Sequence, residues 1–309
     1  EVVKGAILAK KEGVDVILSG DENLIKSYLG NEKIPVINYP QVISMDDDPA
    51  KAIRSNKDSS IIGALNLVKE KKADAVFSAG STGATLIGAI SVLGKIKGVT
   101  RPTIASVLPG KEKEVILVDS GANLEVKPKV LYQFAIMGSK LSELLFDIEN
   151  PRIGLINNGE ESSKGRELEK ATFKLLKSSQ LNFIGNVEGK DFANSKVDVF
   201  VTDGFTGNVV LKTLQGVAKL QQDLISKSLK ENLFKPLLIP VKNAISPVKS
   251  MLNPNSTNGS YLLGVNGLVI IGHGSSNSEA IKNALLFTSR AVEKRFINKF
   301  TEVSSELWM

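Results

Sequence analysis

No cysteine occurs in the 309 residues, and His273 is the one histidine. The first absence excludes disulfides, a cysteine nucleophile and thiolate metal sites, and it fits a reducing, cytoplasmic setting. The second excludes a multi-histidine metal centre, so neither a metal nor a cofactor is expected. Aromatic residues are few, at 6%, whereas glycine is plentiful at 26 residues, a balance that suits an α/β enzyme better than an all-β sandwich. No apolar run reaches about 18 residues, so no membrane-crossing helix is expected. Three familiar signatures are missing. Without GxxxxGK[ST] the chain is not a P-loop nucleotidase. Without GxGxxG and a following acidic residue it is not a dinucleotide fold. Without GxSxG an α/β-hydrolase is not expected.

Hydrophobic residues make up 42% of the chain, enough for one large core. Lys and Arg outnumber Asp and Glu by 39 to 33, for a net charge of +6. The basic residues form small groups, such as Lys51, Arg54 and Lys57, or Lys69, Lys71 and Lys72. No nucleic-acid motif accompanies them, so nucleic acid is not the expected partner. A phosphate ligand or an acidic protein explains the charge as well.

What is present repeats itself. Val197–Val201 reads as a buried strand, and it enters Asp203-Gly204-Phe205-Thr206-Gly207-Asn208, followed by a long helix from about Val209. Val76-Phe77 enters Ser78-Ala79-Gly80-Ser81-Thr82-Gly83, followed by an apolar helix from Ala84 to Leu93. Val269–Ile271 enters Gly272-His273-Gly274-Ser275-Ser276, followed by a helix from Ser278 to about Lys299. A glycine turn between strand and helix aims free backbone N–H groups at one point, which suits an anion. Three such turns imply a shared phosphate-handling crevice. Further polar turns follow Val115–Val118, at Asp119-Ser120-Gly121-Ala122-Asn123, and Arg152–Ile156, at Asn157 through Arg166. The latter carries Lys164.

Strand and helix alternate from residue 14 to about 225. That is the pattern of a three-layer α/β/α fold with a mostly parallel sheet, its ligand turns gathered at the C-terminal ends of the strands. Residues 34–60 read as irregular. Asp46-Asp47-Asp48-Pro49 reads as a solvated helix N-terminus. Helix 1–12 precedes the strand Val14–Leu18 with no strand before it, so a first strand is expected to be missing and the single domain 1–309 to be N-terminally incomplete. Residues 209–260 form a helical excursion. Within it, 233–252 carries an apolar stripe of Phe234, Leu238, Val241, Ile245, Val248 and Leu252. Lys235, Lys242 and Lys249 recur every seven residues, and Pro236, Pro240 and Pro247 interrupt the segment. It reads either as a dimer or domain contact or as a membrane-surface segment.

These turns, with Arg101-Pro102, Tyr132 through Ser139, Ile184-Gly185-Asn186-Val187-Glu188 and Lys164-Gly165, resemble the PlsX family, the bacterial phosphate acyltransferases of phospholipid synthesis. The likeness runs in order along essentially the whole chain. The family begins with a strand ending in Asp-Ala-Met-Gly-Gly-Asp, and this chain starts after it. The resemblance implies a fold akin to isocitrate and isopropylmalate dehydrogenases, a homodimer, and transfer of an acyl group from acyl carrier protein to inorganic phosphate. A phosphate acetyltransferase using coenzyme A and a non-catalytic regulator that binds a phosphorylated metabolite are the alternatives. On this reading Lys164 and Asn208 contact phosphate or the oxyanion, and Asn123 and His273 orient phosphate. Ser81, Thr82, Gly83, Asp203, Thr206, Gly207 and Ser275 hold it. Leu238, Val241, Lys242 and Ile245 would touch a membrane surface, near a membrane glycerol-phosphate acyltransferase that uses the product.

Overall fold

The computed structural model describes residues 1–231 and 259–302. The basic amphipathic segment, with Leu238, Val241, Lys242 and Ile245, lies outside the described residues. In chain order the elements are α1 (Val2–Lys11), β1 (Leu18–Gly20), α2 (Glu22–Leu29), β2 (Val36–Asn38), α3 (Pro49–Ser55), α4 (Ser60–Lys69), β3 (Ala75–Ser78), α5 (Thr82–Leu93), β4 (Thr103–Leu108), β5 (Val115–Val118) and α6 (Pro128–Phe146). Then come β6 (Ile153–Ile156), α7 (Glu167–Lys177), β7 (Phe183–Val187), β8 (Val199–Val201), α8 (Gly204–Glu231), β9 (Ser260–Leu263), β10 (Leu268–Ile271), α9 (Ser278–Glu293) and α10 (Phe296–Glu302).

Eight strands form one sheet in the order β3-β10-β9-β4-β5-β8-β6-β7, and β1 and β2 form a small parallel pair. The strands alternate between two faces, as the two-residue period of a strand requires. Ala105, Val107, Ile116, Val118, Val199, Val201, Tyr261, Leu263, Leu268 and Ile270 join the cluster under α6, α9 and α10. On the other face the cover is split. Ile104, Leu262, Val269 and Ile271 pack against α3, α4 and α5. Leu108, Val115, Leu117 and Phe200 form a separate cluster with α8. The three-layer α/β/α architecture expected from the sequence is therefore present, and one of its outer layers is divided.

Four of the seven strand pairings are parallel, and the exceptions lie together in the middle. β10–β9, β9–β4 and β4–β5 are all antiparallel. Three successive reversals make β3 and β10 run opposite to β5, β8, β6 and β7. This corrects one expectation: the polar turns do not share one edge of the sheet. Ser78–Gly83 and Gly272–Ser276 leave from one edge. Asp119–Asn123, Asn157–Arg166 and Asp203–Asn208 leave from the other.

Local readings hold where capping chemistry is explicit. Asp48 caps α3 by accepting from the Lys51 N–H at 2.8 Å, with Pro49 in the first turn. Residues 34–60 are less irregular than expected, since they contain β2 and α3. β9 begins at Ser260, the last residue of the stretch read as a helical excursion, and β1 starts at Leu18, where pairing with Val36 begins. The last helix breaks at Arg295, which takes a positive φ of 53°. The turn lets Phe296 and Phe300 stack in the core, with ring centroids 5.4 Å apart.

Candidate active site

Among the described residues, the divided layer leaves the middle of the sheet uncovered on that face. The gap is a crevice of about 740 Å³. Its floor is β4 and β9, through Ile104, Ser106, Leu108 and Ser260, joined by Ile271 of β10. One wall carries Gly80, Thr82, Gly83 and Leu86 with the turn from Gly272 to Ser276. The facing wall carries Gly121, Ala122, Asn208, Leu211, Lys212 and Gln215. The sheet reversal is thus what sets turns from opposite edges across one cavity.

The two walls begin helices differently. Ser81 caps α5, its buried hydroxyl accepting from the Ala84 N–H at 3.4 Å, while Thr85 N–H donates to the Ser81 carbonyl. The N–H groups of Thr82 and Gly83 have no acceptor among the described residues, and both residues line the crevice. That is an open, neutral helix N-terminus. The turn before it is tied down. Gly272 N–H donates to the Ser78 carbonyl at 2.8 Å, and the Thr85 hydroxyl, which donates to the Ser81 carbonyl at 3.0 Å, lies 3.1 Å from Ser78 Oγ.

α8 begins at Gly204, five residues before the helix start read from the sequence, so Thr206, Gly207 and Asn208 are helical. The residue that moves the boundary is Asp203. Its Oδ1 accepts from the Thr206 N–H at 2.8 Å, and its Oδ2 accepts from the Thr206 hydroxyl at 3.1 Å. Oδ2 also pairs with Arg166, which in turn holds Glu169. Glu169 and Asp203 together hold the guanidinium above its ordinary pKa. Asp203 and Thr206 therefore satisfy each other, and the structure does not bring either to the crevice. Gly207 has a steric duty instead: a Cβ there would stand 1.8 Å from the Asp119 carbonyl oxygen.

Asn123 is likewise spent. Its amide donates to the Pro102 carbonyl at 2.9 Å and to Asp119 Oδ2 at 2.8 Å, and it does not line the crevice. Asp119 is fully buried and gathers the N–H groups of Ile104, Gly121, Ala122 and Asn123. Burial pushes its carboxyl up, against the pull of these donors. The result is a rigid turn that places Gly121, at φ +143°, against Asn208: a Cβ on Gly121 would meet Asn208 Nδ2 at 2.7 Å.

Asn208 is exposed, lines the crevice and makes no side-chain hydrogen bond among the described residues. His273 and Ser275 line the opposite wall and pair with each other, Nδ1 to Oγ at 2.7 Å. Ser275 N–H donates to the same Nδ1 at 3.2 Å. A backbone N–H can only donate, so Nδ1 is the acceptor and the neutral ring carries its proton on Nε2. Lys164 lies outside the crevice lining. It is exposed, on the turn after β6, at the same sheet edge as Asp119 and Asp203.

Among the polar lining residues, Lys212, Ser106 and Ser260 lie outside the turns read from the sequence. Lys212 sits one helical turn after Asn208, so it shares that face, and its ammonium donates to Gln215 at 3.2 Å. Ser106, Ser120 and Ser260 form a chain of hydroxyls on the floor, with 2.8 Å between Ser106 and each of the others. Ser106 alone had a sequence signal, as a hydroxyl inside the wholly buried strand Thr103–Leu108.

The layered fold is shared with known structures. A phosphotransacetylase from Streptococcus pyogenes superposes with a TM-score of 0.61 at 18% identity, over 94% of this chain and 91% of that one. A 4-hydroxythreonine-4-phosphate dehydrogenase from Klebsiella pneumoniae superposes at 0.53 and 12% identity, over 93% and 92%. At those identities the likeness is one of fold, and it agrees with the dehydrogenase-type architecture expected above. Sequence likeness goes further. The chain belongs to the fatty acid synthesis protein family, whose pattern matches residues 1–299. The phosphate acyltransferase of Halothermothrix orenii is 42% identical over 307 residues, covering 96% of this chain and 92% of the relative.

Proposed function

We propose that this chain is a phosphate acyltransferase, carrying an acyl group from a thioester to inorganic phosphate. The observation that supports it best is the open N-terminus of α5, with free Thr82 and Gly83 N–H groups, facing the unpartnered amide of Asn208 across a partly apolar crevice. Family membership supports the same reading. A phosphate oxygen attacks the thioester carbonyl carbon, and the C–O bond forms. The tetrahedral oxyanion then collapses, the C–S bond breaks, and the sulfur takes up the proton that the phosphate releases. No covalent enzyme intermediate is needed, which accords with a chain that lacks cysteine.

In this scheme Thr82 and Gly83 hold phosphate, with His273 Nε2–H, oriented by Ser275, as a further donor and Ser81 fixing the helix start. Asn208 faces the oxyanion, where a removed donor costs roughly 10²–10³-fold in turnover. Lys212 supplies positive charge within the crevice, and Lys164 lies outside its lining. Leu86, Ile104, Leu108 and Leu211 offer an apolar surface to the acyl chain.

The donor in this reading is acyl carrier protein, an acidic protein that the exposed lysines at 69, 71 and 72 suit. Homodimer formation is supported by Phe205, Val209, Val217, Leu220 and Leu224, large apolar residues exposed along α8. The 233–252 segment is assigned to a membrane surface, where a glycerol-phosphate acyltransferase would take the product. The test is to incubate the protein with labelled phosphate and either long-chain acyl carrier protein or acetyl-coenzyme A. Acyl phosphate should form from the carrier-bound chain, more slowly as salt rises. Asn208→Ala should lose that activity. Acyl phosphate from neither donor, or full activity in Asn208→Ala, would overturn the assignment.

A further inference from the structure

The serine chain on the crevice floor has a fixed direction. Ser120 Oγ–H donates to the Ile104 carbonyl at 3.0 Å. A hydroxyl has one proton, so the 2.8 Å contact between Ser106 and Ser120 must be a donation from Ser106. Ser106 has then used its own proton, so the 2.8 Å contact with Ser260 is a donation from Ser260. The reverse order would set the lone pairs of Ser120 against those of the Ile104 carbonyl. Ser106 and Ser120 are both 4% exposed, which keeps water from breaking the order. Ser260, at the half-buried end, therefore turns its proton inward and offers only lone pairs to the crevice.

The sheet places this acceptor in the same row as the strands that lead into the donors, and all of them line one crevice. Ser78, Ile271, Ser260, Ser106 and Leu117 are successive partners across one row. Ser260 is two strands from Ser78, roughly 10 Å away at ordinary strand spacing. Ser78 leads into Gly80–Gly83, and Ile271 leads into His273. On that side Thr82 N–H, Gly83 N–H and His273 Nε2–H are donors. A fully ionised oxyanion has no proton for Ser260. Inorganic phosphate keeps a P–O–H through the neutral range, and sulfate keeps none.

We infer that Ser260, oriented through Ser106 and Ser120, is a specificity-determining residue that accepts the P–O–H proton and makes this crevice select protonated phosphate over sulfate. The inference rests on the phosphate-binding reading above. The mismatch that sulfate would create is a lone pair facing a lone pair, worth roughly a tenfold preference for phosphate.

The experiment is a direct binding titration of phosphate and of sulfate, by calorimetry, on the wild type, Ser260→Ala, Ser106→Ala and Ser260→Thr, each checked for an unchanged unfolding midpoint. The wild type should bind phosphate roughly tenfold more tightly than sulfate. Ser260→Ala should bring the ratio to less than about threefold by weakening phosphate. Ser106→Ala should do so with Ser260 intact, by freeing its proton to turn outward and so strengthening sulfate, an effect that a merely steric role at 260 would not produce. Ser260→Thr should keep the preference. A preference unchanged in both alanine variants would overturn the inference and leave the phosphate reading standing. A wild type that binds neither anion would overturn both.

Discussion

Two turns with nearly the same sequence logic end in opposite electrostatics. Ser81-Thr82-Gly83 and Asp203-Gly204-Phe205 each follow a strand of the sheet and begin a helix. At α5 the cap is a neutral hydroxyl, and the next two N–H groups face the crevice unpaired. At α8 the cap is a buried carboxylate, already matched by Arg166 and Thr206. Gly204 N–H is also taken, by the Asn123 carbonyl at 2.7 Å. A carboxylate cap fills the anion site that its own helix creates. The two motifs are therefore not equivalent phosphate devices: one binds from its backbone, and the other is a strut that holds Asn208 and Lys212 in place.

The strut should break most severely at Gly207. Gly207→Ala drives a methyl group into the Asp119 carbonyl, on a buried residue whose N–H and carboxylate are already fixed by hydrogen bonds. A loss of about 3 kcal/mol or more in urea unfolding is expected, and an unchanged midpoint would dismiss the close approach. Next comes Asp203→Ser, which opens the α8 N-terminus and leaves Arg166 with Glu169 alone. Arg166 is largely exposed, so the loss should be about 1–2 kcal/mol. Its phosphate affinity should stay within about twofold if α8 is only a support. Ser81→Asp is the converse, installing at α5 the cap that α8 has. Serine and aspartate cap comparably, so stability should hold to within about 1 kcal/mol. Phosphate binding should nevertheless fall more than about tenfold through like-charge repulsion. Tight binding retained in Ser81→Asp would remove the α5 N-terminus from the site.

The smallest effect concerns Asp198, another buried carboxylate met by cations. Burial pushes its pKa up, but hydrogen bonds from Arg152 and Lys113 outweigh that and hold it below the ordinary 3.8. A lowered carboxyl binds fewer protons folded than unfolded. Its contribution is therefore present above the ordinary value and lost as pH falls through the folded one. Unfolding measured between about pH 5 and about pH 2 should be less pH-dependent in Asp198→Asn than in the wild type.

Elements with explicit chemistry at their ends were legible in the sequence. Asp48-Pro49 announces α3's first turn, Lys127-Pro128 announces α6, and the apolar runs at 103–108 and 115–118 are strands. Direction and order were not. A four-residue strand such as Val115–Val118, buried on both faces, carries no alternation to mark which neighbour it takes or which way that neighbour runs. Hence the reversal at β4, β5 and β9, and with it the crevice, cannot be read from the residues. The same limit divides the candidate residues. Thr82, Gly83, Asn208, His273 and Ser275 line the cavity. Asn123, Asp203 and Thr206 belong to the same motifs but are consumed by partners up to 37 positions away in sequence.

The antiparallel centre also sets a schedule for synthesis. Ser106 of β4 meets Ser260 of β9, and 154 positions separate them in sequence. A ribosome adding roughly 5–20 residues per second takes roughly 8–30 s to cover that span. Through that interval β4 has β5 on one side and an open row of amide and carbonyl groups on the other, with β3 awaiting β10. The nascent chain thus carries an unfinished sheet edge through that interval, a window in which a holdase chaperone would find its target.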